Sequence, residues 1–382
     1  MILSAIFLFS CSSCDSEEEK IEPKQIWKTS IPEGYYSYTI PNATTNTVVF
    51  ATSDGEVHGY STKDGKMKWE KKVGPEDQGI PNKFMVYDND IFFDYTNLLF
   101  SFDDETGNIK WVYVKNLNYG SGSSPEPSTN YVFTGDAYTP PGFNEGNVYC
   151  VNRQSGALVW KRKLTEGVEA ITEKTIDDLV YVGTRGFKMG ENGEEDYGKL
   201  HCFKASTGDS LWTFDFTDRP ELSFNGGAVF GKPAVWGNYI YITTTKGATK
   251  GAIVCLNRFS GEKIWATNTP NGYHAGVTID PISAKGYAVA NLIFYSFDLY
   301  SGNLKLLEQD VLGSVLYEPI IYNHLVYLFT AGGSFQARKP EDGKLVYESI
   351  NKYYTPLYVF GNLVNGVLYM ISEDHIYALE AL

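Results

Sequence analysis

Residues 150–160 read Cys150-Val-Asn-Arg-Gln-Ser-Gly156-Ala-Leu-Val-Trp160: a small residue, an Asn two places on, a turn ending in Gly, and Trp four residues later. The phrase returns at Gly65/Trp69, Gly107/Trp111, Gly208/Trp212 and Gly261/Trp265, with two worn copies at Gly302/Leu306 and Gly343/Tyr347. Successive turn glycines lie 41 to 53 residues apart. Repetition at that period, in short apolar runs, predicts propeller blades rather than helical hairpins or leucine-rich units.

Upstream of each glycine stand two strand-like runs joined by a tight turn, such as Asn46-Thr-Val-Val-Phe-Ala-Thr52 and Glu56-Val-His-Gly-Tyr60. Val, Ile, Tyr and Phe dominate these runs and suit a pleated, packed surface. The first hairpin turn of each unit is marked independently, at Asn46, Asn89-Asp90, Asn130, Asp177-Asp178, Gly237-Asn238, Lys285-Gly286, Asn323-His324 and Asn365-Gly366. Such residues accept φ > 0 or bond their own backbone. Eight turns predict an all-β, eight-bladed β-propeller with four-stranded antiparallel blades.

The eighth unit has no outer strand of its own. Gln25-Ile-Trp27-Lys-Thr, before the first turn, matches the Trp-bearing strand of the other units. Trp27 is therefore expected to pair with the C-terminal strands and close the ring, removing the free ends of an open array. Residues 23–382 read as one domain, since blades stack into a single quasi-repetitive body. Composition agrees: 15% aromatic residues, 37 Gly and 20% charged residues suit a dense all-β body.

Six residues before the turn glycines stand Gly59, Ser101, Cys150, Cys202, Cys255, Ser296 and Ala337, and Ala378 takes that place in the last unit. A position that is small in every copy is one where neighbouring blades approach closely. Cys150, Cys202 and Cys255 are accordingly expected to be buried small hydrophobes. Equivalent points of different blades lie too far apart for a disulfide. Cys11-Ser-Ser-Cys14 has no second cluster to complete a zinc site.

Those two cysteines follow the apolar run Met1-Ile-Leu-Ser-Ala-Ile-Phe-Leu-Phe-Ser10, which ends like the lipobox of bacterial lipoproteins. The reading is a lipoprotein signal peptide and tether over 1–22 with Cys11 acylated; an ordinary secretory signal is the alternative, and both imply export. The run is too short for a membrane-spanning helix, which needs about 20 apolar residues. The acidic stretch Asp15-Ser-Glu-Glu-Glu-Lys20 looks like the surface-export signal of some Gram-negative lipoproteins, or serves as a solvated tether. Outer-membrane attachment, at the cell surface or the periplasmic face, is the expected location.

The recurring small-x-Asn/Asp-x-x-x-Gly-x-x-x-Trp phrase resembles the pyrroloquinoline-quinone-like β-propeller family, whose repeats dock on tryptophan, and the resemblance covers essentially the whole chain after the tether. It implies structural roles for Trp27, Trp69, Trp111, Trp160, Trp212 and Trp265. Two branches follow from it. One holds quinoprotein dehydrogenases, which carry adjacent cysteines under the quinone, a Ca²⁺ held by Glu, Asn and Asp, and a catalytic Asp. The other holds non-catalytic propellers, including a lipid-anchored subunit of the outer-membrane barrel-assembly machinery. This chain has no adjacent Cys pair and no haem-attachment C-x-x-C-H. The family name describes the blade rather than a cofactor.

No other chemistry stands out. There is no G-x-S-x-G elbow, no Gly-rich phosphate loop ending in Lys-Ser/Thr and no H-E-x-x-H. His58 and His201, each seven residues before a turn glycine, read as packed strand residues. A net charge of −14 argues against nucleic acid, whose phosphates need clustered Lys and Arg. No catalytic residue, metal ligand or cofactor is assigned.

What remains is one rim. The blade-to-blade connections carry Tyr38, Tyr119, Phe224, Tyr273, His274, Tyr317, Glu318 and Tyr354. Three consecutive second-to-third-strand loops are enlarged, from Asp136 to Asn147, Arg185 to Lys199 and Thr244 to Ala252. Large loops and aromatics on a rigid scaffold are where recognition concentrates. The sequence thus predicts a monomeric, non-enzymatic scaffold that binds an envelope protein. A cell-surface receptor for a glycan or small ligand is the alternative, and a quinone-dependent oxidoreductase a weaker third.

Overall fold

The computed structural model describes residues 22–31, 39–52, 55–74, 84–115, 124–136, 146–171, 175–190, 193–217, 227–229, 231–246, 250–272, 274–309, 318–330, 335–349, 360–371 and 375–382, with 219, 222 and 311. Among these residues the strands form eight antiparallel sheets. They are the blades of a propeller, numbered here in chain order: 42–72, 85–114, 126–164, 167–215, 228–269, 274–308, 320–348, and 360–380 joined by 25–30. In blade 1, strands Asn42–Ala43, Thr47–Ala51, Glu56–Ser61 and Met67–Lys72 pair in chain order. Each blade touches the inner strand of the next, and blade 8 touches that of blade 1.

The ring closes as the sequence predicts. Gln25–Ser30 pairs with His375–Glu380, and Trp27 lies opposite Ala378. The small-residue column explains itself in the pairing: Gly59, Ser101, Cys150, Cys202 and Cys255 each lie opposite the tryptophan of their own blade. A Cβ on Gly59 would come within 2.2 Å of the Trp69 indole. Cys150, Cys202 and Cys255 are free and buried, and burial pushes their thiols up.

Each tryptophan then docks on the following blade. Trp69 Nε1 donates to the Asp104 carbonyl at 2.8 Å, Trp111 to Arg153 at 2.9 Å and Trp160 to Ala205 at 2.7 Å. Trp212, Trp265 and Trp27 repeat this on Arg258, Leu299 and Thr62. The acceptor is always three residues before a turn glycine. That glycine has positive φ and lies under the indole, so any Cβ there would collide with the ring, as at Gly208 (φ +69), 2.5 Å from Trp160. Buried apolar side chains form eight clusters among the described residues, and each cluster is shared by two adjacent blades. The core is therefore a set of seams rather than one centre.

Three details differ from the sequence reading. The first turn of blade 6 falls at 281–284, and Lys285 and Gly286 belong to the following strand. Gly286 is bare because the Phe297 ring lies across it, 2.0 Å from where a Cβ would sit. In blade 2 the turn is Asp88–Asn89, with Asp88 at φ 52, and Asp90 starts the strand. In blade 6 the bulge comes two residues earlier along the third strand, so Leu306 lies opposite Tyr295 rather than Ser296. The Gly343 turn then packs on Leu307 instead. No helix of the described residues is long and apolar enough to cross a membrane.

Candidate functional site

In an antiparallel blade the second-to-third-strand loop and the connection to the next blade emerge at the same end, so both sets share one rim. Below it the inner strands enclose a cavity of about 650 Å³, lined by Met85, Ile176, Val235, Val277 and Ile320, with Lys232 and Glu318 as its charged residues. Side chains tie inner strands to one another around this channel. Asn362 Nδ2 donates to the Pro41 carbonyl at 3.1 Å, Asn42 Nδ2 to that of Phe84 at 2.8 Å, and the Thr278 hydroxyl to that of Pro319. Lys232 of blade 5 forms an ion pair with the buried Glu126 of blade 3.

Of the rim residues singled out in the sequence, Glu318 lies on the channel wall. His274 opens the inner strand of blade 6, opposite Ala290. Tyr38, Tyr119, Phe224, Tyr273, Tyr317 and Tyr354 lie outside the described residues, as does Cys11. The enlarged loops take different forms. The loop of blade 3 is closed at its base, where Asn147 Nδ2 donates to Asp136 Oδ2 at 2.5 Å. In blade 5 the ladder runs up to Thr245 and Gly251. In blade 4 the strand Leu179–Gly190 overshoots the sheet and folds back as Gly193–Tyr197, in register from Gly186/Tyr197 to Gly190/Gly193. The acidic insertion around Glu194 is thus a two-stranded ribbon rising from the rim.

Two buried ionic networks, which repeat reading alone missed, support this end of blades 2 to 4. Lys115, fully buried, places Nζ 3.1 Å from Asp94 Oδ2, which also accepts from the Thr134 hydroxyl. Burial pushes the Asp94 carboxyl up, against the pull of Lys115 and Thr134. A signal was present: four residues after the blade tryptophan stand Ile31, Val73, Leu164, Phe216 and Thr269, and Lys115 is the charged residue in that column.

The second network centres on Glu166, also fully buried, in the connection to blade 4. Lys199 Nζ lies 2.8 Å from it, His201 Nε2 3.7 Å, and the Thr165 hydroxyl donates at 2.6 Å. Burial alone would raise its carboxyl, but bonds from His201, Lys199 and Thr165 outweigh this and bring it from 4.5 down to about 2. A depressed carboxyl stabilises the fold above its unfolded value and loses that contribution as pH falls through the folded one. Stability is therefore expected to drop as pH falls from 4.5 to about 2. Glu166→Gln should flatten this part of the curve in denaturant titrations across pH; an unchanged slope would remove Glu166 from the account.

The quinone of the dehydrogenase branch is a flat tricarboxylate. Among the described residues the cavity offers one cation, Lys232, already paired with Glu126, and no aromatic ring to stack on it. These residues do not fit that cofactor. Elsewhere, Glu56, His58 and Glu70 of blade 1 bring potential ligand atoms together.

Comparison with known proteins places this geometry. The family described as outer membrane protein assembly factor BamB matches residues 21–164 and 144–221, together more than half of the chain. The BamB protein of Shewanella oneidensis is 24% identical over 329 residues, 80% of this chain and 66% of that protein. A quinohemoprotein alcohol dehydrogenase of Comamonas testosteroni is 26% identical over 136 residues, 35% of this chain and 17% of the enzyme. The chain thus spans less than two thirds of each of these relatives. The crystal structure of BamB from Moraxella catarrhalis superposes with a TM-score of 0.65 at 15% identity, covering 94% of this chain and all of that one.

Proposed function

Because the chain belongs to the family described as outer membrane protein assembly factor BamB, we propose that it is a non-catalytic docking module for outer-membrane protein assembly. In this reading residues 1–22 are signal peptide and tether, Cys11 carries the lipid, and 23–382 form the propeller on the periplasmic side of the outer membrane. The observation that carries the proposal is the blade 4 ribbon, Leu179–Gly190 against Gly193–Tyr197, standing beside the rim of a rigid ring. A two-stranded ribbon has two outer edges, and a strand edge can pair with an extended segment of a partner. The networks of Asp94 with Lys115 and of Glu166 with Lys199 hold the rim beneath it.

The tether geometry is compatible with this. Glu22 leads into the outer strand of blade 8 at Gln25, on the circumference. The residues between Cys11 and Glu22 reach at most about 40 Å when extended, so the ring stays near the membrane. The glycan-receptor alternative draws on the same rim, and of its residues Tyr38, Tyr119, Phe224, Tyr273, Tyr317 and Tyr354 lie outside the described residues.

The test is capture from detergent-solubilised envelope with the tagged full chain. Outer-membrane assembly proteins should be recovered. Replacing 187–196 by a short turn should lower recovery about tenfold or more, equivalent to at least about 1.4 kcal/mol of binding, with the melting temperature unchanged. Recovery no better than background, or unchanged by that replacement, would count against the reading.

A further inference from the structure

We propose that blade 1 carries a binding site for a divalent transition-metal ion, with Zn²⁺ the best match, formed by Glu56, His58 and Glu70. The backbone dictates the grouping. Glu56 and His58 alternate on strand Glu56–Ser61, and Glu70 of strand Met67–Lys72 lies directly opposite His58. Residues two apart on one strand and across from each other on the next share a face. One ligand atom from each lies within 4.8 Å of the other two, and Glu56 Oε2 is 4.0 Å from His58 Nε2.

The three side chains differ in mobility in the way a metal site requires. His58 is 1% exposed, stacked on Phe50 at 5.4 Å and 23°, with Nε2 2.8 Å from the Thr52 hydroxyl. It is a fixed donor. Glu56 is partly exposed and Glu70 exposed, so both carboxylates can swing inward. Zinc takes N and O ligands at about 2.0–2.2 Å, so the group must contract by about 1 Å, within the reach of two glutamate side chains. The Thr52 hydroxyl would then pass from the imidazole to a metal-bound water.

A second histidine in the same chain supplies the comparison. His201 of blade 4 stands at the same repeat position as His58, seven residues before its turn glycine. There Lys199 replaces Glu56 and Thr213 replaces Glu70 in register. The nearby carboxylate, Glu166, is neutralised by Lys199 at 2.8 Å. Blade 4 therefore holds a finished ion pair around its histidine, whereas blade 1 gathers two carboxylates around an imidazole. Such carboxylates repel each other, and a shared cation removes the repulsion. Lys72, opposite Glu56, is exposed, so its repulsion of a bound ion is screened by solvent.

One imidazole with two carboxylates favours zinc over Ca²⁺ and Mg²⁺, which prefer all-oxygen shells. Three protein ligands leave a fourth position open to water. The site shares its face with Tyr60, which packs with Trp27 and Tyr369 where blades 8 and 1 meet. A bound ion would clamp the two outer strands of blade 1 beside the point of ring closure. This inference is independent of the assembly role.

The full chain, stripped with a chelator, is titrated with zinc chloride at neutral pH by calorimetry, and its melting temperature is followed in parallel. Zinc should bind and raise the melting temperature, while calcium and magnesium at equal concentration should not. Glu56→Gln and Glu70→Gln should each weaken binding about tenfold or more, and the double variant should lose the zinc-dependent rise. Both glutamates are solvent-accessible, so these variants stay folded even if His58→Ala does not. Zinc uptake unchanged in the double variant, or absent in the parent at millimolar zinc, overturns the proposal.

Discussion

Trp160→Ala is expected to lower the stability of the propeller by about 3–5 kcal/mol, the range for removing a large buried aromatic. Trp160 is 6% exposed and sits in the cluster joining blades 3 and 4, with ring centroids 6.0 Å from Phe133 and 6.0 Å from Phe203. Its indole N–H holds the Ala205 carbonyl at 2.7 Å. The alanine therefore opens a cavity and leaves the Ala205 carbonyl with only the weak Cys150 thiol donor, at 3.8 Å. The Gly208 turn cannot close the gap, because its left-handed backbone is fixed by the loop it ends. Trp160→Phe keeps most of the burial and loses the hydrogen bond, so a cost of about 1–2 kcal/mol is expected. Urea titrations of the three proteins measure this directly. A loss below about 1 kcal/mol for the alanine variant would show that the seams do not depend on tryptophan docking.

Lys115→Met carries the second large effect. The ammonium is fully buried against Asp94, and removing it leaves a carboxylate with the Thr134 hydroxyl but no cation. Breaking such a pair from one side costs about 3–5 kcal/mol at neutral pH. The sign with pH follows from Asp94. Its carboxyl is raised by burial, so its contribution favours the fold at low pH and is lost as pH rises from the ordinary value of 3.8 through the raised one. Without Lys115 the carboxyl rises further, and the penalty should grow with pH and nearly vanish in acid. Adding Asp94→Leu should recover most of the loss, since a well-packed apolar pair often matches a buried ionic one. A penalty independent of pH, or no recovery in the double variant, would mean that the pair is not what holds this seam.

How much of this the sequence discloses depends on how local each feature is. The blade register was legible because small residue, turn glycine and tryptophan lie within eleven residues, and their spacing recurs in the first seven blades, with Leu306 and Tyr347 in place of tryptophan in the sixth and seventh. In the sixth the glycine was correct, and only the bulge position moved the packing from Leu306 to Leu307. Gly286 misled for a physical reason: the same missing Cβ serves a turn or a ring lying across the backbone. The ionic networks were not legible by motif. Asp94 lies in the second strand of blade 2 and Lys115 just past the end of the fourth, and Glu166 meets Lys199 only after blade 4 folds against its connection. Lys115 was nonetheless findable once the repeat was aligned as columns. Glu56, His58 and Glu70 were hidden for the opposite reason: each is unremarkable alone, and only strand register joins them. The rim was legible as a location, but the ribbon in blade 4 was not, since a charged insertion reads equally as loose loop.

The strand 25–30 has a consequence for timing. Ser30 meets His375 across 345 residues of chain, so the earliest strand to be made has no sheet to join until nearly the last residue exists. The entropic charge for so long a loop is modest, rising only about 0.6 kcal/mol per doubling of length, but the wait is absolute. A chain interrupted before residue 375 can dock Trp27 on Thr62 and Gly65 of blade 1, but lacks the strand that covers its other side. The ring therefore closes only once residues 375–380 have been made, and a product truncated before them leaves strand 25–30 without its neighbour.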